Sequence, residues 1–338
     1  MGTEPAEVEA RIAEDLHVAL RRAGLPVDSV GEVVPFGDGH SGFTYAVDVT
    51  DASGTSRRVL RLSPPGIRIA GPADVGRQGR IMLALGAHGV AVPQVLACDS
   101  APVVAGRAYA LMDLVPGLRW DRAVEETSDD QVADAAVAAL HRLQSVDPAA
   151  AGIGSEELRT PVAEVARWST LVRRGSTELC RAGERLAANL ETSAPPQSSP
   201  PALVHGDYHY GNLLFRHGSV VAILDWEIAH VGEPLLDLGS LAVATLRTKY
   251  APEPNSTGSV RISIADLVAR YGTTRERARW YIALTCFKYA SILAYNAALH
   301  RSGRRPDPIY DQLPVTTRGL ILDGEVILAE GVDAVPSA

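Results

Sequence analysis

The residues after the glycine-rich stretch Gly37-Asp38-Gly39-His40-Ser41-Gly42 limit the fold more than any other feature of this chain. The spacing G-x-G-x-x-G is shared by loops that open a helix and by loops that join two strands. Here Phe43, Tyr45, Val47 and Val49 alternate with Thr44, Ala46, Asp48 and Thr50, so a strand comes after the third glycine. That excludes a dinucleotide fold, which needs a helix at this point. The loop is expected to turn between antiparallel strands and to fold over phosphates, with backbone N–H groups around Gly37, Gly39, Ser41 and Gly42 pointing at them.

The surrounding pattern agrees. Val8, Ile12, Leu16 and Leu20 recur four apart and predict a helix over about Glu7–Ala23, closed by Gly24. Strand-like runs come next, V-G-E-V-V-P-F from Val30, then F-T-Y-A-V-D-V-T, then R-R-V-L-R-L ending at Leu62. A helix over Ala73–Leu85 and two further strands, near Gln94–Ala97 and Arg107–Leu114, complete a small sheet-rich lobe, residues 1–114. Val115-Pro116-Gly117 breaks the pattern. Residues 115–338 read as a larger, mostly helical lobe, with helices over Asp130–Leu143, Pro161–Val172, Thr177–Leu190 and a long one from Thr274 to His300. The runs Pro195–Pro201 and Pro252–Gly258 read as loops. A chain of 338 residues exceeds one ordinary core and suits two lobes.

Composition narrows the partners. A formal charge of -8 and an aromatic share of 5% disfavour a nucleic-acid binder, which needs a basic footprint. Three scattered cysteines, Cys98, Cys180 and Cys286, give no disulfide framework and no zinc spacing. The acidic start and the lack of an apolar run approaching about 20 residues argue for neither a signal peptide nor a membrane span. A cytoplasmic protein with no obligate protein partner is the expectation.

The chemistry sits in His205-Gly206-Asp207-Tyr208-His209-Tyr210-Gly211-Asn212, where an aspartate precedes an asparagine at the spacing of a kinase catalytic loop. Asp207 would take the proton of a substrate hydroxyl and Asn212 would hold magnesium. Leu213–Leu224 then reads as two strands around a tight turn, and Asp225-Trp226-Glu227 comes next, with Asp225 in the position of a metal-binding aspartate. A turn at Gly218-Ser219 would make Asn212 and Asp225 direct cross-strand partners, with Cβ atoms about 4.5–5.5 Å apart. A turn at His217-Gly218 would make them diagonal neighbours. A competing reading takes His205, Asp207 and His209 as ligands of a hydrolytic metal site, but it leaves Asn212 and Asp225 without a role.

The first lobe contains no lysine, so the phosphate-gripping cation is expected to be Arg61 in V-L-R-L. Its acidic partner on the next helix is open, since Gln78 stands where a glutamate would serve and Asp74 lies one turn earlier. Backbone groups of Met112, Asp113 and Leu114, just before the break between lobes, are placed to meet a purine edge.

Together H-G-D-Y-H-Y-G-N, I-L-D-W-E and G-E-P-L-L-D-L-G resemble the aminoglycoside phosphotransferase and choline kinase superfamily. V-L-R-L-S-P-P-G and D-W-E-x-A-x-x-G-x-P-x-x-D-L-G look most like its branch of kinase-like domains attached to acyl-CoA dehydrogenases. The resemblance implies an α+β, bilobal protein-kinase-like fold with ATP or GTP at the hinge. It implies Asp207 as base, magnesium on Asn212 and Asp225, and Asp237 anchoring the segment after the metal site. It also implies that His205 braces the catalytic loop, and Glu227 becomes a candidate for a second ion. Arg61 and Gln78 depart from the family's lysine and glutamate.

Only about a dozen residues separate Asp225 from Asp237, too few for a peptide-docking platform, so the acceptor is expected to be a small hydroxylated molecule. Antibiotics of aminoglycoside, nucleoside or macrolide type come first and hydroxyacyl or other hydroxylated metabolites second. Glu227, Asp307 and Asp311 are the evident carboxylates for a cationic acceptor, and Trp280, Tyr281, Lys288 and Tyr295 the expected wall of its pocket. The rival of another class is a nucleotide-binding protein without turnover.

Overall fold

The computed structural model describes residues 5–36, 43–197, 200–250 and 260–335. The chain divides into two compact units. One comprises Met1–Gly117, Ala151–Ile153 and Val221–Ile228, and the other Leu118–Ala150, Gly154–Val220 and Ala229–Ala338.

In the first unit α1 (Pro5–Arg22) precedes β1 (Val27–Pro35), β2 (Thr44–Asp51) and β3 (Gly54–Leu62), and α2 (Val75–Ala87) precedes β4 (Val95–Val104) and β5 (Arg107–Asp113). The strands form one antiparallel sheet in the order β1-β2-β3-β5-β4. Ile12, Leu16 and Leu20 of α1 are fully buried and share a core with Val47, Leu60 and Leu111 of the sheet, while Val8, the fourth residue of the stripe, is exposed. Each such leucine contributes roughly 1.5–3 kcal/mol by leaving water, which fixes the helix on one face of the sheet. The register sets Arg61 of β3 opposite Thr44 of β2 and Ala110 of β5. Asp74 caps α2 by accepting the Arg77 N–H at 2.9 Å. The glycine stretch carrying Gly37, Gly39, Ser41 and Gly42 lies outside the described residues.

In the second unit α3 (Trp120–Glu126), α4 (Asp129–Gln144), α5 (Pro161–Val172) and α6 (Thr177–Thr192) come first. The short strand β6 (Ala202–Val204) leads into the loop that carries Asp207, and β7 (Leu213–Arg216) and β8 (Ser219–Ile223, the last three residues of which are counted with the first unit) form a two-stranded sheet. Beyond Asp225 lie β9 (His230–Gly232), α7 (Leu235–Ala244), α8 (Arg247–Tyr250), α9 (Ile264–Tyr271), α10 (Arg275–Arg301) and α11 (Pro314–Glu330). β9 pairs antiparallel with β6, Val204 facing His230. The residues between β7 and β8 are His217 and Gly218, with φ of 51° and 72°, as a two-residue hairpin requires. The turn is therefore His217-Gly218 and not Gly218-Ser219. Of the two registers considered, this turn corresponds to the second, because His217 adopts a left-handed conformation unusual outside glycine.

Helix α10 is long and apolar enough, by length and composition, to cross a bilayer, contrary to the reading of the sequence. Its apolar residues are instead core: Ile282, Leu284, Phe287 and Ala290 are buried within this unit. The expected loop at Pro252–Gly258 lies outside the described residues.

Candidate active site

Asp207 sits on a loop whose backbone is held from below. His205 and Gly206 donate their N–H groups to Asp237 Oδ2 and Oδ1 at 2.8 Å each, and Asp237, in the first turn of α7, is wholly buried. Asp237 thus anchors the loop that carries Asp207. The same two bonds tie the segment after Asp225, which carries Asp237, to that loop. Burial pushes the Asp237 carboxyl up to about 7, against the two N–H groups and Lys288, which favour its charge. Lys288 Nζ, on α10, donates to the Gly206 carbonyl at 2.7 Å and to Ser240 Oγ at 2.8 Å. Burial lowers its pKa while Asp207 and Asp237 work to raise it. Tyr208, fully buried, reaches the Ala136 carbonyl of α4 at 2.8 Å.

The Asp207 side chain is fixed in turn. Tyr289 Oη donates to Oδ1 at 2.7 Å, and Asn212 Nδ2 donates to Oδ2 at 3.2 Å and to the Asp207 carbonyl at 2.9 Å. His209 Nε2 stands 3.4 Å from Oδ2, and its Nδ1 accepts the Gly211 N–H at 3.0 Å. Burial works to raise the Asp207 carboxyl, but His209, Lys288 and the Tyr289 hydroxyl outweigh it and hold the group below the usual carboxylate range. His205 is buried and its Nδ1 accepts the Asp207 N–H at 3.2 Å, the contact of a brace.

In the first unit Arg61 Nη1 donates to Asp225 Oδ1 at 3.1 Å. Neither Gln78 nor Asp74 is its partner. Gln78 Nε2 bonds to the Pro72 carbonyl at 3.0 Å, and Asp74 accepts from the Arg77 N–H and Ser100 Oγ. Asp225 itself has a φ of 65°, a left-handed conformation that aspartate tolerates at a cost of order 1 kcal/mol. Trp226, fully buried, anchors the segment by donating to the Ile223 carbonyl at 3.0 Å, and the Glu227 carbonyl accepts from Arg77 Nη1 at 3.5 Å.

Of the three hinge residues, Met112 is paired on both sides, with Val59 and Val95, and the Asp113 N–H is taken by the Gln94 carbonyl at 2.9 Å while its carboxylate pairs with Arg58. Leu114 makes no hydrogen bond among the described residues.

Asn212 turns its amide nitrogen to Asp207 and has its amide oxygen besides, and Asp225 keeps Oδ2 beyond its bond to Arg61. Both are hard oxygen donors of the kind magnesium takes, so the donor chemistry fits. Among the described residues no group of three or more histidine, cysteine, aspartate or glutamate side chains is placed to hold a metal. The hydrolytic site on His205, Asp207 and His209 is accordingly absent from them, since His205 and His209 turn Nδ1 to backbone N–H groups.

A small cavity beside Gly206 is lined by Glu164, Arg167, Trp168, His230 and Lys288. Glu164 is buried. Its Oε2 accepts the Trp168 indole N–H at 2.9 Å, and its Oε1 lies 3.5 Å from Arg159 and 3.6 Å from Arg167 and His230. Of these residues the sequence singled out Lys288, as part of the expected pocket wall; the rest carried no signal beyond the three-residue spacing of Glu164 and Arg167 on one helix. The expected pocket wall fares differently. Trp280 donates to the Leu190 carbonyl and Tyr281 to Glu233, both inside the core. Asp307 caps a turn by accepting the Ile309 N–H, and Asp311 faces His300.

A model of the phosphotransferase enzyme family matches residues 32–281. Acyl-CoA dehydrogenase family member 10 of Mus musculus is 30% identical over 253 residues, which cover 72% of this chain. The chain spans only 23% of that relative's length. A Ralstonia eutropha protein assigned to the aminoglycoside phosphotransferases superposes with a TM-score of 0.73 at 22% identity, covering 94% of this chain and 98% of that one. Aminoglycoside phosphotransferase APH(4)-Ia, solved as a ternary complex with AMP-PNP and hygromycin B, gives 0.58 at 14% identity, covering 94% and 98%. The fold is that of the kinase-like phosphotransferases, α+β as the pattern predicted.

Proposed function

We propose that this chain, which belongs to the phosphotransferase enzyme family, transfers the γ-phosphate of ATP or GTP to a hydroxyl of a small molecule. The observation that carries this reading is the immobilised Asp207 carboxylate, held by Tyr289 and Asn212 on a loop that Asp237 and Lys288 brace. A base fixed in this way aligns a hydroxyl for in-line attack, and in phosphoryl transfer positioning and charge neutralisation supply most of the rate. The acceptor's O–H proton passes to Asp207, its oxygen bonds to the γ-phosphorus, and the bond to the nucleoside diphosphate breaks.

Asn212 and Asp225 would hold magnesium, with Glu227 a candidate for a second ion. The metal neutralises charge on the transferring phosphates. Arg61 has further N–H donors besides the one on Asp225 and is assigned to the phosphates. The backbone of Met112, Asp113 and Leu114 is assigned to the purine edge. The hygromycin B complex of the APH(4)-Ia enzyme supports an antibiotic acceptor by family likeness. A second reading, a hydroxylated metabolite such as a hydroxyacyl compound, is favoured by the likeness to an acyl-CoA dehydrogenase family member.

Incubation with magnesium, ATP or GTP and panels of hydroxylated antibiotics and hydroxy acids tests this. Acceptor-dependent nucleoside diphosphate release that disappears in Asp207→Ala is the expected result. Nucleotide binding without turnover across both panels would replace it with a binding protein.

A further inference from the structure

We propose that Tyr289 is a positioning residue for Asp207, and that by occupying one side of Oδ1 it makes that oxygen the one that receives the acceptor's proton. The inference rests on the phosphotransfer reading above. It starts from a correspondence between helix and loop: consecutive residues of α10, Lys288 and Tyr289, hold consecutive residues of the loop, Gly206 and Asp207. Lys288 takes the backbone carbonyl and Tyr289 the side chain.

A carboxylate oxygen offers about two lone-pair sites. Oδ2 of Asp207 faces two donors, Asn212 Nδ2 at 3.2 Å and His209 Nε2 at 3.4 Å. Among the described residues Oδ1 receives only the Tyr289 hydroxyl, at 2.7 Å. The remaining site is on Oδ1, beside Tyr289, so an acceptor hydroxyl that hydrogen-bonds to the base does so there.

Neither neighbour can take the proton onward. Because Nδ1 of His209 accepts the Gly211 N–H, the ring carries its proton on Nε2 and is a donor toward Oδ2. Tyr289 already donates to Asp207, and burial, reinforced by the Asp207 charge, keeps its hydroxyl protonated. During transfer the acceptor O–H bond breaks and an O–H bond forms on Oδ1. The acceptor oxygen bonds to the γ-phosphorus, and the nucleoside diphosphate leaves with the electron pair of the broken P–O bond. The proton stays on Asp207 until product departs. Without the Tyr289 donor the carboxylate is held only at Oδ2, by Asn212 and His209, so Oδ1 can swing out of its plane, and misplacement of a reacting group by about 1 Å costs on the order of a hundredfold in rate.

Tyr289→Phe removes the donor and keeps the ring. Turnover is read with magnesium nucleotide and the acceptor found above, or with water as acceptor where none is found. The expected outcome is a fall in kcat of about a hundredfold with the nucleotide KM within about twofold, and no further fall when Tyr289→Phe is added to Asp207→Asn. A kcat within twofold of wild type, or an undiminished effect in the Asp207→Asn background, would overturn the proposal. Crystal structures keep it testable apart from turnover. The Asp207 carboxylate should rotate away from its wild-type plane in Tyr289→Phe, and an unmoved carboxylate rejects the inference even if no acceptor is ever found. Should that variant not fold, wild type with a non-hydrolysable nucleotide and magnesium decides: the Tyr289–Asp207 hydrogen bond persists, or its loss ends the proposal.

Discussion

Arg61 and Asp225, 164 residues apart in the chain, meet through a hydrogen bond of 3.1 Å between Nη1 and Oδ1. The arginine assigned to phosphate thus rests on the carboxylate assigned to metal. Side-chain exposures of 18% and 36% place the pair among partly solvated ion pairs, worth about 0–1 kcal/mol to stability. Arg61→Ala should therefore shift the melting temperature by no more than about 2–4 °C. It should weaken nucleotide binding by at least about tenfold, the loss of a charge-assisted hydrogen bond. Calorimetric titration beside a melting curve separates the two effects. Equal nucleotide affinity in both proteins would remove Arg61 from the phosphate site.

Asp237 makes a prediction about pH. Its carboxyl is raised by burial from 3.8 to about 7, so between those values the folded protein binds a proton that the unfolded chain does not. The contribution is then full below the unfolded value and is lost as pH rises toward 7, so stability from this group declines across that window. Asp237→Asn should lower stability most near pH 4 and by a shrinking amount as pH rises toward 7, since it lacks the titrating carboxyl and its amide cannot accept from both His205 and Gly206 N–H groups. The decline should vanish in the variant. Melting temperatures of both proteins from pH 4 to pH 8 check it, and parallel curves would show that Asp237 does not titrate there.

Much of this arrangement was legible because periodicity reports burial. The α1 stripe, the alternation through β2 and the helix Pro161–Val172 were all readable, as was the D-x-x-x-x-N loop. The misses have physical causes. Helix α3 and strand β9 have seven and three residues, too few to show a period. The β7–β8 turn shifted because His217 accepts a positive φ. Tyr289 and Lys288 lie in a helix buried on several sides, where a ring or a lysine stem reads as core. Their role depends on which loop packs opposite, a property of the tertiary fold alone. The partner of Arg61 was missed because it comes from a segment far along the chain, and the helix searched for it spends Asp74 on its own cap.

Gly239 of α7 sets how closely α10 approaches. A Cβ there would lie 2.5 Å from Thr285 Oγ1 and 2.7 Å from the Tyr281 carbonyl. Backbone cannot yield as a flexible side chain does, so Gly239→Ala should push the helices apart and cost about 1–3 kcal/mol. Since α7 carries Asp237 and α10 carries Lys288 and Tyr289, turnover should fall with stability. Gly324→Ala, which meets Leu186 Cδ2 at 2.8 Å, should lower melting temperature with less effect on kcat. Comparing the two variants at equal fractions folded isolates the effect on the loop.

Asp225 joins backbone geometry to metal chemistry, and two substitutions tell them apart. Its φ of 65° suits aspartate and asparagine, whose short polar side chains tolerate the left-handed region, while alanine there costs about 1–2 kcal/mol. Asp225→Asn should keep the backbone and the melting temperature near wild type. It removes the anionic oxygen assigned to magnesium and the charge that Arg61 meets. Nucleotide affinity in wild type should rise when magnesium is added to an EDTA-treated sample, and Asp225→Asn should lose most of that rise. Asp225→Ala should lose it too and also melt lower, by the strain alone. A full magnesium response in Asp225→Asn would show that the ion is held without Asp225, and the metal assignment would then move to Asn212 and Glu227.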